Sequence, residues 1–262
     1  MADRHGELSG RVAIVTGGAA GVGAAACDAL AERGAAVTVA DVAEEINEVA
    51  DRIKTSGGAA QAVTTDVSDQ GQVEGMVQRT VDEFGRLDFL LNVAAVAGPT
   101  ENVWEADPQA WGQAPSINLF GTFMPTRAAL PHMLEQGSGR VLTVTSGLGY
   151  IPTPQTSAYG SSKAGVIHFT RILATELLGT GVTANAVDPR LVGTSLATEF
   201  PEMGGGGAGP QWGPRPQDPW EPARLLAWLC GPVGSWINGQ VVDVHDPIVR
   251  GLLQLPVPVT FS

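Results

Sequence analysis

Positive charge is scarce in this chain: 15 Lys and Arg stand against 27 Asp and Glu in 262 residues, a formal net charge of -12. A surface of that sign repels phosphate backbones and anionic membranes, which argues against nucleic acid or membrane as partners. Long apolar runs are missing too. No stretch approaches the roughly 18 apolar residues of a membrane-spanning helix, and Met1 to Gly10 is polar, without the apolar centre of a signal segment. A cytoplasmic protein is expected. Cysteine is limited to Cys27 and Cys230, each in an apolar helical pattern and without metal-ligand spacing, so buried free thiols are expected. None of the four histidines is paired at H-x-x-x-H spacing, so no metal site is expected. No composition break separates two domains, and 44% hydrophobic content is ample for the core of one large α/β domain.

The stretch that carries the most chemistry is Tyr159-Gly160-Ser161-Ser162-Lys163, with Ser146 thirteen residues upstream of the tyrosine. If Tyr159 opens a helix, Lys163 lies one turn along on the same face. The apolar positions Val166, Ile167, Phe169, Ile172, Leu173 and Leu177 would anchor that helix. A free phenol has a pKa of about 10, and a nearby ammonium favours the phenolate and lowers that value. Ser146, at the end of the apolar run Val141 to Thr145, can donate a hydrogen bond to a carbonyl or alkoxide oxygen. Together the three side chains suit carbonyl reduction or alcohol oxidation, although a bare Y-x-x-x-K is also common on ordinary amphipathic helices.

Val12 to Thr16 is a β-branched run read as a strand buried on both faces. It leads through Gly17-Gly18-Ala19-Ala20-Gly21-Val22-Gly23 into an Ala-rich helix ending near Arg33. Strand, glycine loop and helix in that order suit a dinucleotide, because glycines admit the pyrophosphate and the helix N-terminus carries partial positive charge. A second strand, Ala36 to Ala40, ends in Asp41. A carboxylate there accepts hydrogen bonds from ribose hydroxyls and repels a 2′-phosphate, so NAD is expected over NADP; the same residue could simply cap a helix. Ile46, Val49, Ala50 and Ile53 mark the next helix, Gln61 to Thr64 a third strand, Val73, Val77, Val81 and Phe84 another helix, and Leu87 to Leu91 a fourth strand. Val182 to Val187 and Gln240 to Val244 read as strands six and seven. This alternation predicts a Rossmann-type α/β fold, a parallel sheet wound on both faces with ligands at the C-terminal strand ends.

From about Gly10 to Asp246 the chain resembles the short-chain dehydrogenase/reductase family: Thr16 to Gly23 matches its T-G-x-x-x-G-x-G loop, Asp66-Val67 its adenine-contacting pair, and Asn118 its catalytic asparagine. Ser146, Tyr159 and Lys163 match the rest of its catalytic set. The resemblance implies a seven-stranded sheet in one domain, a homotetramer, and hydride passing between a nicotinamide and an alcohol or ketone. Tyr159 would be the acid-base, Lys163 would lower its pKa and hold the nicotinamide ribose, Ser146 would orient the substrate oxygen, and Asn118 would hold a water in the proton relay. Cofactor contacts are implied at Gly17, Ala20, Gly21, Val22, Gly23, Asp41, Val42, Asp66, Val67, Asn92, Ala94, Tyr159, Lys163, Pro189, Val192 and Thr194. Ser146, Leu148, Arg190 and Phe200 are the expected substrate contacts.

Several positions depart from the family pattern. Ala95 stands where the N-N-A-G turn has glycine, Arg190 follows Pro189 where glycine is usual, and His245-Asp246 replaces a glycine pair. Pro115 lies three residues before Asn118 in a stretch that is usually helical, where proline costs about 3 kcal/mol or kinks the helix. Arg190 has three readings: solvated, paired with an acid such as Asp188 or Asp246, or clamping a substrate carboxylate. Residues 194–219, rich in Gly and Pro, are expected to form a substrate lid, the alternative being a loop without a role. The apolar tail 247–262 is expected to pack on its own subunit or on a neighbour. The favoured function is an NAD-dependent oxidoreductase for secondary alcohols or ketones. A 3-oxoacyl thioester reductase and a non-enzymatic NAD-binding scaffold or sensor are the alternatives.

Overall fold

The computed structural model describes residues 6–198 and 217–255. Strand β1 (Val12–Thr16) is entirely buried, as its unbroken apolar run demands, and it pairs in parallel with β2 (Ala36–Asp41) on one side and β4 (Phe89–Asn92) on the other. Adding β3 (Ala60–Thr64), β5 (Gly139–Val144), β6 (Val182–Asp188) and β7 (Val241–Asp243) gives one seven-stranded sheet in the order β3-β2-β1-β4-β5-β6-β7. Every pairing is parallel. The Rossmann-type sheet expected from the alternation is therefore what the chain forms.

Successive residues of a strand point to opposite faces, and the core divides accordingly. Ala13 and Val15 face a layer with helices α1 (Gly21–Ala31) and α2 (Ile46–Thr55), while Ile14 faces a layer with α3 (Gln70–Phe84). The apolar stripe of α2, Ile46, Val49, Ala50 and Ile53, is fully buried in the first layer. Asp69 caps α3 by accepting from the Gln72 N–H at 2.9 Å, and Gly85, with φ 77°, ends it in the left-handed conformation that glycine adopts most easily.

The second layer is completed by α5 (Gly121–Gln136) and α6 (Ser157–Glu176), with α4 (Pro108–Pro115) packed on α6. Pro115 does not break the segment as its chemistry suggests. Helix α4 ends at Pro115, a π-helical turn spans Ser116–Phe120, and α5 continues directly, with the Gly121 N–H reaching back to the Ser116 carbonyl. The widened turn directly follows the proline, and the chain stays helical through it. After β6 come the short α7 (Ser195–Thr198), then α8 (Trp220–Cys230), which closes the first layer, and α9 (Pro247–Leu253). In the apolar tail, Leu253 and Leu255 are buried in that layer of their own chain, and Ile248 and Leu252 are exposed. Residues 256–262 lie outside the described residues.

At the N-terminal edge of β1 and β4 an ion cluster fixes the sheet. The Asp88 carboxylate, buried, accepts from Arg11 Nη1 at 2.7 Å, from Arg86 Nε and Nη2 at 2.7 Å each, and from the Val12 N–H at 3.0 Å. The site described below lies at the opposite end, where the strands terminate.

Candidate active site

The C-terminal ends of the strands open on a cavity of about 500 Å³, lined by the glycine loop, the strand ends and the start of α6. The loop leaves no room for side chains. A Cβ on Gly23 would stand 1.9 Å from the Gly17 carbonyl oxygen, and one on Gly17 (φ 69°) would stand 2.6 Å from the Ala94 nitrogen. Both positions therefore require glycine. Thr16 ties the turn after β4 to this loop, its Oγ1 accepting from the Val93 N–H at 3.2 Å and the Ala94 N–H at 3.4 Å. Asp41 secures the far side: Oδ2 accepts from the Ala19 N–H at 3.3 Å and Oδ1 from the Val42 N–H at 2.7 Å. Gly21 has φ 53°, and a Cβ there would meet Thr194 Cγ2 at 2.9 Å, so the segment after β6 folds back against the glycine loop.

Asp66 turns its carboxylate to its own turn, accepting from the Ser68 hydroxyl at 2.6 Å and the Ser68 N–H at 2.8 Å. Those two bonds hold it below the usual carboxylate range. Asp66 and Val67 nonetheless line the cavity, as do Gly17, Ala20 to Gly23, Asp41, Val42, Ala94, Tyr159, Lys163, Pro189, Val192 and Thr194. Asn92 stands behind the wall. It is buried, donating to Thr126 Oγ1 at 3.1 Å and Thr143 Oγ1 at 3.5 Å, and its buried Oδ1 has no hydrogen-bond partner among the described residues.

Helix α6 brings Tyr159 and Lys163 to the cavity on one face, both buried. Lys163 Nζ donates to the Val144 carbonyl at 2.8 Å and sits 5.6 Å from the centroid of the Tyr159 ring. Ser146 accepts from the Leu148 N–H at 3.2 Å, opening the 3₁₀ turn Gly147–Gly149, and it lines the cavity with Tyr159. Burial pushes Lys163 down to about 8. Burial also raises the Tyr159 phenol above its ordinary value, the Ser146 hydroxyl pulls against that rise, and the Asp188 carboxylate adds to it. Lys163, from which a lowering is expected, is not among the groups that displace the phenol; the cost of taking the phenolate out of water dominates.

Asn118 is wholly buried behind the cavity wall. Its Oδ1 accepts from the Val96 N–H at 2.8 Å, and its Nδ2 donates to the Val96 carbonyl and to Ser162 Oγ, each at 2.9 Å. The side chain thus clamps the segment after β4 to α6. Around Tyr159 the wall is apolar, with Ala97, Leu148, Ile151 and Leu196 in one cluster. Phe200, expected at the substrate, lies outside the described residues, as does most of the expected lid. Of the part that is described, α7 contributes Ser195, Leu196 and Ala197 to the cavity, which the reading of the sequence did not identify.

Arg190 lines the cavity, as expected, but its guanidinium is committed to an acid. Its backbone is left-handed (φ 58°), which explains why glycine is usual at this position. Its N–H donates to Asp188 Oδ1 at 2.9 Å, and its guanidinium engages Asp243 at the end of β7, Nε lying 3.0 Å and 2.9 Å from the two carboxylate oxygens. Nε is also 3.9 Å from Asp188 Oδ2. Asp246, the other acid considered as its partner, caps α9 by accepting from the Ile248 N–H at 2.8 Å.

Residues 11–204 match the short chain dehydrogenase family. The chain belongs to that family. Short-chain dehydrogenases of several kinds are similar to it along most of its length. It is 38% identical over 235 residues to cis-4-hydroxycyclohexanecarboxylate dehydrogenase of Sinomonas cyclohexanicum, covering 89% of this chain and 94% of that one. It is 30% identical over 245 residues to a 3-oxoacyl-[acyl-carrier-protein] reductase of Thermotoga maritima, covering 93% and 99%. Among solved structures, a variant of actinorhodin polyketide ketoreductase with NADPH superimposes with a TM-score of 0.84 at 29% identity, covering 92% of this chain and 97% of that one. A dehydrogenase cavity built on this glycine loop takes a nicotinamide dinucleotide, and the residues here fit such a group: Gly17, Gly21 and Gly23 pack the loop tightly on its neighbours, where a Cβ would clash, and present bare backbone to the cavity.

Proposed function

We propose that this short-chain dehydrogenase interconverts a secondary alcohol and a ketone with NAD. The observation that carries this reading is that Ser146, Tyr159 and Lys163 line the same cavity as the glycine loop, with Lys163 Nζ 5.6 Å from the centre of the Tyr159 ring. When bound, a nicotinamide exchanges hydride with the carbinol carbon. The protein does the rest: Tyr159 passes the hydroxyl proton, Ser146 holds the substrate oxygen, and Lys163 would hold the nicotinamide ribose and supply positive charge below its pKa of about 8. Asn118, its side chain committed to Val96 and Ser162, serves by fixing the segment 93–97 against α6. A non-enzymatic scaffold has no need of that hydroxyl pair over a buried lysine.

Asp41 supports NAD over NADP, because its carboxylate sits at the mouth of the cavity beside the loop. Titrating both cofactors should give tighter binding of NAD, and Asp41→Ala should narrow the gap. Equal affinities in the parent protein would remove the assignment. The substrate search begins with alicyclic and steroid secondary alcohols, followed by reduced-nicotinamide absorbance; the apolar wall of Ala97, Leu148, Ile151 and Leu196 supports that starting point. The similarity to a 3-oxoacyl-[acyl-carrier-protein] reductase favours a second reading, reduction of a 3-oxoacyl thioester. NADPH-linked turnover of such a thioester with none on NAD and alcohols would select it. Since its guanidinium is held by Asp243, Arg190 is left out of the proposed substrate contacts.

A homo-oligomer is also part of this reading. Phe120 and Phe123 stack with centroids 5.8 Å apart, Phe123 meets Phe169 edge-on at 6.2 Å, and Ile172 lies exposed on the same α5–α6 layer. An aromatic face of that kind is suited to burial against a second copy.

A further inference from the structure

Two carboxylates end adjacent strands side by side, since Asp188 of β6 and Asp243 of β7 are partners in the parallel register. The one nearby guanidinium among the described residues is shared unequally between them. Arg190 commits Nε and Nη2 to Asp243 and offers Asp188 its backbone N–H, with Nε 3.9 Å away. The other group on Asp188 is the hydroxyl of Tyr150, which donates to Oδ2 from the segment just after Ser146. Asp188 itself is wholly buried. A non-glycine residue kept in the left-handed region at Arg190 indicates that the side chain is needed there, since glycine would relieve the backbone.

The register also sets where this charge lies. Val144, whose carbonyl holds Lys163, pairs with Val187, so Asp188 follows one residue beyond that pair, level with the end of β5 that presents Ser146. We propose that the Asp188 carboxylate, held by Tyr150 and Arg190, is a positioning residue for Tyr159 that sets the pH at which the phenol gives up its proton. The assignment of Tyr159 as the proton-transfer group rests on the function proposed above; the electrostatic coupling does not.

Among the described residues, the charged and titratable groups facing this corner are Lys163 on the same helix as Tyr159, Asp188 from β6, Tyr150 from the turn after β5, Arg190 after β6, Asp243 from β7 and His245 just beyond it. Burial and the Asp188 carboxylate both oppose the phenolate, in keeping with the upward displacement of Tyr159, and Lys163, held down to about 8 by burial, is neutral where the phenol ionises. Burial holds His245 below its ordinary value, so it is neutral through the alkaline range. Arg190 offsets Asp243, so the two acids and one guanidinium leave a net negative charge. The consequence is directional. A phenol kept protonated is ready to donate to a ketone oxygen, and oxidation of an alcohol then rises along an alkaline limb.

The chain has only two tyrosines, both in this network. In Tyr150→Phe, Tyr159 is the sole tyrosine, and its ionisation can be followed by tyrosinate absorbance without substrate or cofactor. Adding Asp188→Asn should move that transition down by about one pH unit, a roughly tenfold change in ionisation constant. Adding Arg190→Gly instead keeps the left-handed backbone, removes the countercharge and should move the transition up or beyond alkaline unfolding. If Asp188→Asn does not fold, Asp188→Ser replaces it with the same expectation. Coincident transitions with and without the carboxylate, or no ionisation in either before unfolding, would overturn the proposal. An inactive enzyme with a shifted transition would instead count against the proposed function alone.

Discussion

Lys163 illustrates what a single side chain costs the fold when chemistry requires it. The group is buried, and its pKa falls to about 8. Below that pH the native state carries an ammonium out of water; between about 8 and the ordinary lysine value the native form is neutral while the unfolded form stays charged, so stability recovers as pH rises. The penalty is on the order of 3 kcal/mol. Lys163→Met should therefore melt several degrees higher at pH 7 in calorimetry, with the gap closing toward pH 10, while turnover is lost. A variant that melts lower at pH 7 would show that the bond to Val144 outweighs desolvation. At Tyr159, replacement by Phe deletes one oxygen and little packing, so the fold and NAD binding should persist while turnover falls about 10² to 10⁴-fold. Turnover near the parent value would end that assignment.

At the scale of elements, the Asp88 cluster is the counterpart of the active site at the other end of the sheet. Burial disfavours this carboxylate, yet the bonds from Arg86, Arg11 and the Val12 N–H win, and its pKa lies below the usual range. Such a group stabilises the native state above its unfolded pKa and loses that contribution as pH falls through the folded value. Both guanidiniums are more than a third exposed, so solvent screening limits the pair energy. Asp88→Ala should cost about 1–3 kcal/mol, much of it from the Val12 N–H left without its acceptor. Urea titrations at pH 7 and pH 3 should show the difference between parent and variant shrinking with acid. An undiminished difference at pH 3 would point to packing.

The sequence made the regular elements readable wherever pattern and position agreed. Val12 to Thr16 has one interpretation as a buried strand, and Ile46, Val49, Ala50 and Ile53 have one as a helix stripe. The limits came where three-dimensional neighbours decide. Nothing local tells that Pro115 feeds a π turn, or that α5 passes through Pro125 and Pro131. The partner of Arg190 is 53 residues away, on a strand end that becomes adjacent only in the sheet. Tyr150 and Asp188 carry no motif, and their meeting likewise depends on β5 and β6 being neighbours. By contrast the glycine loop and the Tyr159 helix are local structures, and they were legible because their function needs contiguous residues.

For the whole molecule, the exposed aromatic face gives the simplest test. Phe123→Glu should dissociate an assembly that uses the α5–α6 layer, read by sedimentation, with little change in secondary structure; an unchanged mass would place any interface elsewhere. The strand order has another consequence, in time. The interior strand β1 needs β2 and β4 on its two sides, and β4 is 75 or more residues later in the chain. Parallel pairing of that span forfeits much chain entropy before contacts repay it, so refolding should be slow. On a ribosome adding about 5–20 residues per second, the half-sheet β3-β2-β1-β4 can close while β6 and β7 are still unmade. Pulse-labelled hydrogen exchange should then find β1 protected before β7, so that the nucleotide cradle forms ahead of the walls that enclose the substrate.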